Sequence, residues 1–308
     1  MLTGFFRAPA LSFISCSLDE KKHVMSMQAF FNMAVVIFTV GNLGALGLEL
    51  NVREATKALR NVKFVGLIIL WSWVVGPILA YLITKLLPLS EPYAMGLILA
   101  SPAPCAPFYP LVVRKARGDI GFAAALLLLA AVGTVVLMPL MLPLMIKGLT
   151  VSAWAIAKPL LTLVLTPLMI GIAIRVYAAP VADKLFPVVK KIAGLFTLIT
   201  LILVLVLYGK GMLSSMGSFA IGAQLLFLGG MVLVSYKVGF GLKQSQRSVV
   251  ALGVGTRNIA AVFAVLMAIP NPDPGLVVMI VLVVPLSLIV AIVAARVFAK
   301  QANEGDAA

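Results

Sequence analysis

The sequence predicts an all-α integral membrane protein with nine transmembrane helices, built as an inverted repeat in which two crossing helices are broken. Three observations carry that prediction. The 308-residue chain is 62% hydrophobic and 11% charged, with a mean hydropathy of +1.14. A soluble domain is about 45–50% apolar and about 25% charged. Apolar runs recur along the whole chain, each close to the roughly 20 residues that cross a bilayer as a helix. Lysine and arginine concentrate in every second connection between those runs, as topology demands of cytoplasmic loops.

The nine segments are 29–48, 62–86, 93–113, 119–146, 153–177, 187–208, 218–240, 248–270 and 275–298. Helix breakers separate them: Pro88 with Pro92, Pro180, Gly209 with Gly211, and NPDPG at 271–275. One side collects Arg53, Lys57, Arg60 and Lys63, then Arg114, Lys115 and Arg117, then Arg175, Lys184, Lys190 and Lys191, then Lys237, Lys243 and Arg247. The other side has only Lys85, Lys147 and Lys210. The expected topology is multi-pass in a bacterial inner (plasma) membrane, with the N-terminus outside and the C-terminus cytoplasmic. Residues 1–28 read as an extended or interfacial tail outside, with FISC at 13–16 leaving a processed or signal segment as the alternative. Residues 299–308 read as a cytoplasmic tail.

Several function classes drop out. The net charge of +14 is scattered over loops rather than gathered in a patch, so no nucleic acid is expected as a partner. Cys16 and Cys105 make no disulfide framework. The single histidine, His23, lies outside every apolar run. No nucleophile with a base and no metal-ligand cluster can be assembled, so the chain does not read as an enzyme and implies no cofactor or metal. Its ten carboxylates all lie in loops, tails or helix ends.

Two predicted helices violate their own pattern. The third reads ASPAPCAPFYP, with Pro102, Pro104, Pro107 and Pro110 close together, and proline removes a backbone bond and clashes with the preceding turn. The eighth reads LGVGTRNIAAVFAVL over 252–266, where glycines and polar residues weaken the helix. Unwound backbone is tolerated at membrane depth only against protein or a wet cavity. Cys105 and Thr256 lie about half the chain apart, each in the second-to-last helix of its half. Interrupted segments in matching positions point to an inverted-repeat transporter with its site at the midplane. The first half is then one helix short.

Arg257 sits in the second break. A central arginine costs about 2.5–3.5 kcal/mol on insertion scales, so it must face the protein interior or a wet cleft. One reading makes it the anchor of an anionic substrate, since guanidinium meets a carboxylate with two parallel bonds and half-helix N-termini add positive charge. A bland reading has it only satisfying carbonyls. Around it, Gly255, Thr256 (read as a cap) and Asn258 (substrate or backbone contact) join Pro104, Cys105, Ala106 and Pro107 of the other break as the candidate site. Cys105 reads as a small buried residue, and Asn42 in GNLG as a wall of the cleft. Gly229, Gly230, Gly239 and Gly241 read as close helix-packing positions.

GVGTRNIAAVFAV at 253–265 and ASPAPCAPFYPLVVRKARGD at 100–119 resemble the two crossover motifs of the bile acid:sodium symporter family, and GNLGALGLEL at 41–50 resembles an early helix of that family. The resemblance covers about 29–298. It implies a panel (29–48 and 153–208) packed on a core (62–146 and 218–298), with substrate in the cleft between them. It also exposes departures. The glutamate that opens the eighth-helix motif in sodium-coupled relatives falls on Gly253, and the glutamine on Arg257. A sodium-binding Ser-Asn pair falls on Tyr109 and Pro110, and Thr134 is the lone hydroxyl of the following helix. These losses put sodium binding in doubt and suggest that Arg257 replaces the ion as a tethered cation. The expected function is a secondary transporter of a small organic anion, working by alternating access without sodium. The alternatives are a sodium-coupled symporter and, from another class, a non-transporting receptor or channel.

Overall fold

The computed structural model describes residues 10–146 and 151–306, and their side chains from 27 to 303. Among these the regular secondary structure is helix, apart from one isolated bridge. Helix α1 spans Ala10–Glu49, α2 Val52–Leu59, α3 Val62–Leu86, α4 Glu91–Ala100, α5 Tyr109–Lys115, α6 Ile120–Met145, α7 Ala153–Tyr177, α8 Ala179–Ser214, α9 Ala220–Lys237, α10 Gln244–Val254, α11 Ile259–Leu266 and α12 Pro274–Asp306. Seven helices are long and apolar enough to cross a membrane: α1 from Met27, α3, α6, α7, α8, α9 and α12. This is a multi-pass membrane protein. The predicted segments 93–113 and 248–270 are instead helix pairs, α4 with α5 and α10 with α11.

The N-terminal expectation meets a difference. From Ala10 onward residues 10–28 are the start of α1 rather than extended chain, while residues 1–9 and the side chains of Cys16 and His23 lie outside the described residues. At the other end, α12 continues to Asp306, so most of the 299–308 segment is helix.

Local sequence accounts for the irregularities. Helices α3 and α7 each contain a π-helical turn, Leu70–Val75 and Leu160–Leu165, two residues short of Pro77 and Pro167. Proline has no N–H for the ladder, and the freed carbonyls are met by a wider turn. Asp119 caps α6, its Oδ1 accepting from the N–H groups of Gly121 (2.9 Å) and Phe122 (3.2 Å).

Helix α1 packs along α7 and α8. Its glycines make this contact close: a Cβ at Gly47 would stand 2.3 Å from the Leu168 carbonyl oxygen, and one at Gly41 3.0 Å from the Ala193 Cβ. Without a hydrophobic drive between helices in lipid, such small-residue contact is what dispersion can use. A second body of packing joins α3, α6, α9, α10 and α12, with Trp73 lying on Gly133 and the Gln224 amide donating to the Met279 carbonyl (3.1 Å). The glycine expectations divide. Gly239 lies tight against Arg247 and Gly241 takes a positive φ of 79° in the turn before α10, but Gly229 has nothing within 4 Å of a Cβ and faces away from its neighbours.

The basic loops meet at one end. Arg114 and Lys190 each lie 3.9 Å from a Glu49 carboxylate oxygen, and Arg175 pairs with Asp183 at 2.7 Å while also donating to the Leu48 carbonyl.

Candidate functional site at the paired helix breaks

The two breaks meet. Pro104 and Arg257 form an antiparallel bridge, and the unwound strands exchange their backbone bonds. The Cys105 N–H donates to the carbonyls of Thr256 (2.9 Å) and Gly253 (3.0 Å), and the Asn258 N–H donates to the Ala103 carbonyl (2.8 Å). The Ala106 N–H reaches the Thr256 hydroxyl at 3.2 Å. Two longer side chains brace the contact: the Trp73 indole donates to the Pro102 carbonyl (3.0 Å) and the Tyr109 hydroxyl to the Val249 carbonyl (2.9 Å). Cys105 takes φ 73°, a left-handed conformation that costs a non-glycine residue roughly 1–2 kcal/mol. That turn aims its N–H at the other strand. Glycines let the strands and helices close: a Cβ at Gly253 would meet the Leu126 side chain at 2.5 Å, and one at Gly255 the Val232 Cγ2 at 2.1 Å.

The polar residues of the second break divide the work differently from the sequence expectation. Asn258, not Thr256, caps the following helix, with its Oδ1 accepting from the Ala261 N–H (3.3 Å). Thr256 is fully buried and bonds back to the Leu252 carbonyl (2.9 Å) while accepting from Ala106. It therefore ties one break to the other. Asparagine wins the cap because its position directly precedes the first helical residue, where a short amide reaches the orphan donors.

Arg257 is 2% exposed. Its Nη1 donates weakly to the Thr256 carbonyl at 3.3 Å, and its guanidinium carbon lies 4.6 Å from the centre of the Phe227 ring. Nε and Nη2 are enclosed and have no acceptor. No carboxylate pairs with it among the described residues.

Beside the breaks lies a cavity of about 330 Å³. Arg257, Ala106 and Pro107 line it from the breaks, Asn42 and Phe38 from α1, and Ser287 from α12. Of the remaining predicted residues, Pro104, Cys105, Thr256 and Asn258 form the contact between breaks and Gly255 packs against Val232 of α9; none is among its walls. Cys105 is free and buried. The sequence reading missed the wall given by α8: Lys190, Gly194, Thr197 and Thr200. Their spacing of three to four residues marks one helical face, and two hydroxyls on one face of so apolar a helix was the available signal. Asn42 donates to the Thr197 hydroxyl (3.1 Å), while the Thr200 hydroxyl is buried without a partner. Lys190 stands at the edge near Glu49, over the Phe186 ring at 4.7 Å. Phe263 lines this cavity and also a second one of about 630 Å³ bounded by Gln28, Asn32, Tyr208 and Asn271. Phe31 meets Tyr208 and Phe263 edge-on at 5.9 and 5.8 Å, closing the boundary. No group of three metal-ligating side chains occurs among the described residues.

The Sodium Bile acid symporter family matches residues 32–215. A probable sodium/metabolite cotransporter BASS2, chloroplastic, of Oryza sativa subsp. japonica is 28% identical over 166 residues, covering 52% of this chain and 39% of its own. A probable sodium/metabolite cotransporter BASS1, chloroplastic, of Arabidopsis thaliana is 30% identical over 165 residues, covering 53% and 40%. The matched stretch thus spans about two-fifths of these relatives' length. With more than half of its length matched, the chain belongs to the Sodium Bile acid symporter family, whose members are transporters and not enzymes.

Proposed function

We propose that the chain is a secondary transporter of a small organic anion that works without sodium, with Arg257 as a cation tethered at the paired breaks. The observation that carries this reading is the guanidinium itself: buried at 2% exposure, without a carboxylate, with two donors enclosed. Burying a lone cation costs several kcal/mol. The cation–π contact with Phe227 returns about 0.5–2 kcal/mol. The balance favours a required charge over a packing choice. Enclosure of Nε and Nη2 also favours the tethered cation over a direct substrate anchor, since a ligand in the cavity does not meet those atoms.

The substrate cavity is the one shared by Asn42, Thr197, Thr200, Ser287 and the breaks. Its apolar walls and few hydroxyls suit a small amphipathic anion, and Lys190 at its edge supplies a charge of opposite sign. Helices α1, α7 and α8 act as the panel (29–48 and 153–208) and the paired breaks with α3, α6, α9 and α12 as the core (62–146 and 218–298), in a nine-span inverted repeat. The antiparallel bridge between breaks supports opposite orientation of the two halves. Alternating access then exchanges this cavity for the second one across Phe263. We place the basic end, and the C-terminus, in the cytoplasm of a bacterium and the chain in its inner membrane.

Sodium-coupled symport is the second reading. The relatives' names favour it, as does Thr134, whose buried hydroxyl has no partner. The test is thermal unfolding of the purified protein in sodium, potassium and choline, for wild type and Arg257→Gln. A ligand that binds only the folded state raises apparent stability by mass action. The tethered-cation reading expects no sodium effect on wild type and a sodium response in the variant. Sodium-specific stabilisation of wild type overturns it and puts the symporter first.

A further inference from the structure

A third cavity, of about 440 Å³, lies at the basic end, at the opposite end of α10 from the second break and independent of the substrate reading. Leu233, Tyr236 and Lys237 from the end of α9, Gln244 and Arg247 from α10, and Val297, Phe298 and Gln301 from α12 form it. Two of these side chains are cationic and none is acidic. We propose that this cavity is a binding site for the headgroup phosphate of an anionic phospholipid, held by Arg247 and Lys237.

Arg247 is built into place by three separate constraints. Its Nε donates to the Tyr236 carbonyl at 2.8 Å, and its guanidinium stacks 4.6 Å from the centre of the Tyr236 ring. Gly239 provides the room: a Cβ there would meet the Arg247 side chain at 2.6–2.9 Å. Tyr236 is itself fixed, stacked on Phe298 at 3.9 Å and donating to Gln301 Oε1 at 2.6 Å. With Nε engaged and the ring face covered, the Nη edge of the fork is what Arg247 offers, and that edge matches phosphate oxygens in pairs. No salt bridge uses Arg247 or Lys237 among the described residues.

The rim separates a lipid from a free anion. Leu233 and Val297 are exposed at the cavity edge. Val297 continues along α12 as Val293 and Ile289 at helical spacing, and Leu226 lies two turns before Leu233 on α9; all are exposed. An aliphatic track therefore leads from the basic cavity down the lipid-facing side of two packed helices. Soluble phosphate has no use for it, whereas acyl chains cover it. Basic cavities between membrane helices at the cytoplasmic face suit anionic headgroups. The occupant joins α9, α10 and α12, and α10 is the helix that runs into the break at Arg257.

The test is thermal unfolding of the full chain in detergent, titrated with phosphatidylglycerol, with phosphatidylcholine or with inorganic phosphate. The result expected is stabilisation by phosphatidylglycerol at lower concentration than phosphatidylcholine, weakened by salt, and no shift with inorganic phosphate at the same concentrations. Lys237→Gln, at an exposed position, and Arg247→Gln each raise the half-saturating concentration of phosphatidylglycerol about fivefold. Lys210→Gln, which removes the same charge elsewhere, leaves it unchanged. Half-saturation, not the midpoint without lipid, is the readout, because Arg247→Gln also loses the bond to Tyr236. Equal response to the two lipids, or unchanged half-saturation in both site variants, overturns the proposal. A full shift with inorganic phosphate alone overturns the lipid and leaves a soluble anion site.

Discussion

Thr256→Val tests whether the two breaks hold each other. Valine keeps the volume of threonine and removes the hydroxyl. In the wild type that oxygen accepts the Ala106 N–H at 3.2 Å and donates to the Leu252 carbonyl at 2.9 Å. The Leu252 carbonyl loses one side-chain donor. The Ala106 N–H, deep in the contact, is left with no acceptor, and an orphaned buried donor costs about 1–3 kcal/mol. Hydrogen bonds between membrane helices measure lower, about 0.6 kcal/mol on average with a maximum near about 1.7. The overlap of the two ranges puts the loss at about 1–2 kcal/mol. Thr256→Ser keeps the hydroxyl and deletes one methyl, about 0.8 kcal/mol. Thermal unfolding in detergent, with the two variants beside wild type, should rank valine below serine. If valine matches wild type, the hydroxyl does not tie the breaks together and the account of the site is wrong.

Other expectations follow from the packing. Gly47→Ala forces a methyl against the Leu168 carbonyl at 2.3 Å and should destabilise by about 1–3 kcal/mol through overpacking, whereas Gly229→Ala, with nothing near, should stabilise by up to about 1 kcal/mol in the same unfolding assay. Asp119→Ala removes the cap of α6 and should cost about 1 kcal/mol, with faster backbone hydrogen exchange at Gly121 and Phe122 as its local signature. Phe263→Leu keeps an apolar filler at a cost of about 1.5 kcal/mol or less but thins the wall between the two cavities. Proteoliposomes carrying it should leak an entrapped small carboxylate faster than wild type, and an unchanged rate would remove Phe263 as the barrier.

Much of the fold was legible because lipid leaves few choices. Seven of the nine apolar segments became the long helices, although α8 overruns 187–208 at both ends, taking in Pro180, Gly209 and Gly211 that were read as breakers, and α12 continues past 298. The two others were flagged by their prolines and glycines, and each is a helix pair around the foreseen break. Alternating Lys and Arg loops marked the end where Glu49, Arg114 and Lys190 gather. The site was legible only in part. Arg257, Pro107 and Asn42 stood out by being polar or proline and Ala106 by lying between prolines, and these four line the cavity. The α8 wall was not, because Thr197 and Thr200 are ordinary residues whose meaning depends on which helix faces the cavity. Thr256 and Asn258 exchanged roles because capping depends on where α11 starts, and the sequence leaves helix ends uncertain by a few residues.

The composition of the breaks explains why they can sit at membrane depth at all. Each proline in the first break removes a backbone donor that hydrocarbon cannot satisfy. Across 102–107 only Ala103, Cys105 and Ala106 keep an N–H. The Ala103 N–H turns back to the Ala100 carbonyl, and the other two go to the second break. Three of its carbonyls find donors: Ala103 takes the Asn258 N–H, Pro102 the Trp73 indole and Ala106 the Tyr109 N–H, while those of Pro104 and Cys105 take none among the described residues. One break is thus poor in donors, and the other, with two glycines and a threonine, approaches closely enough to meet those that remain. The N–H groups of the first break are thus met, while two of its carbonyls stay open. Among the side chains of the breaks, what stays open is on Arg257, whose Nε and Nη2 have no acceptor. A buried cation with two unmet donors, set against open backbone carbonyls, is why Arg257, rather than the prolines, is the residue on which the proposed transport reading turns.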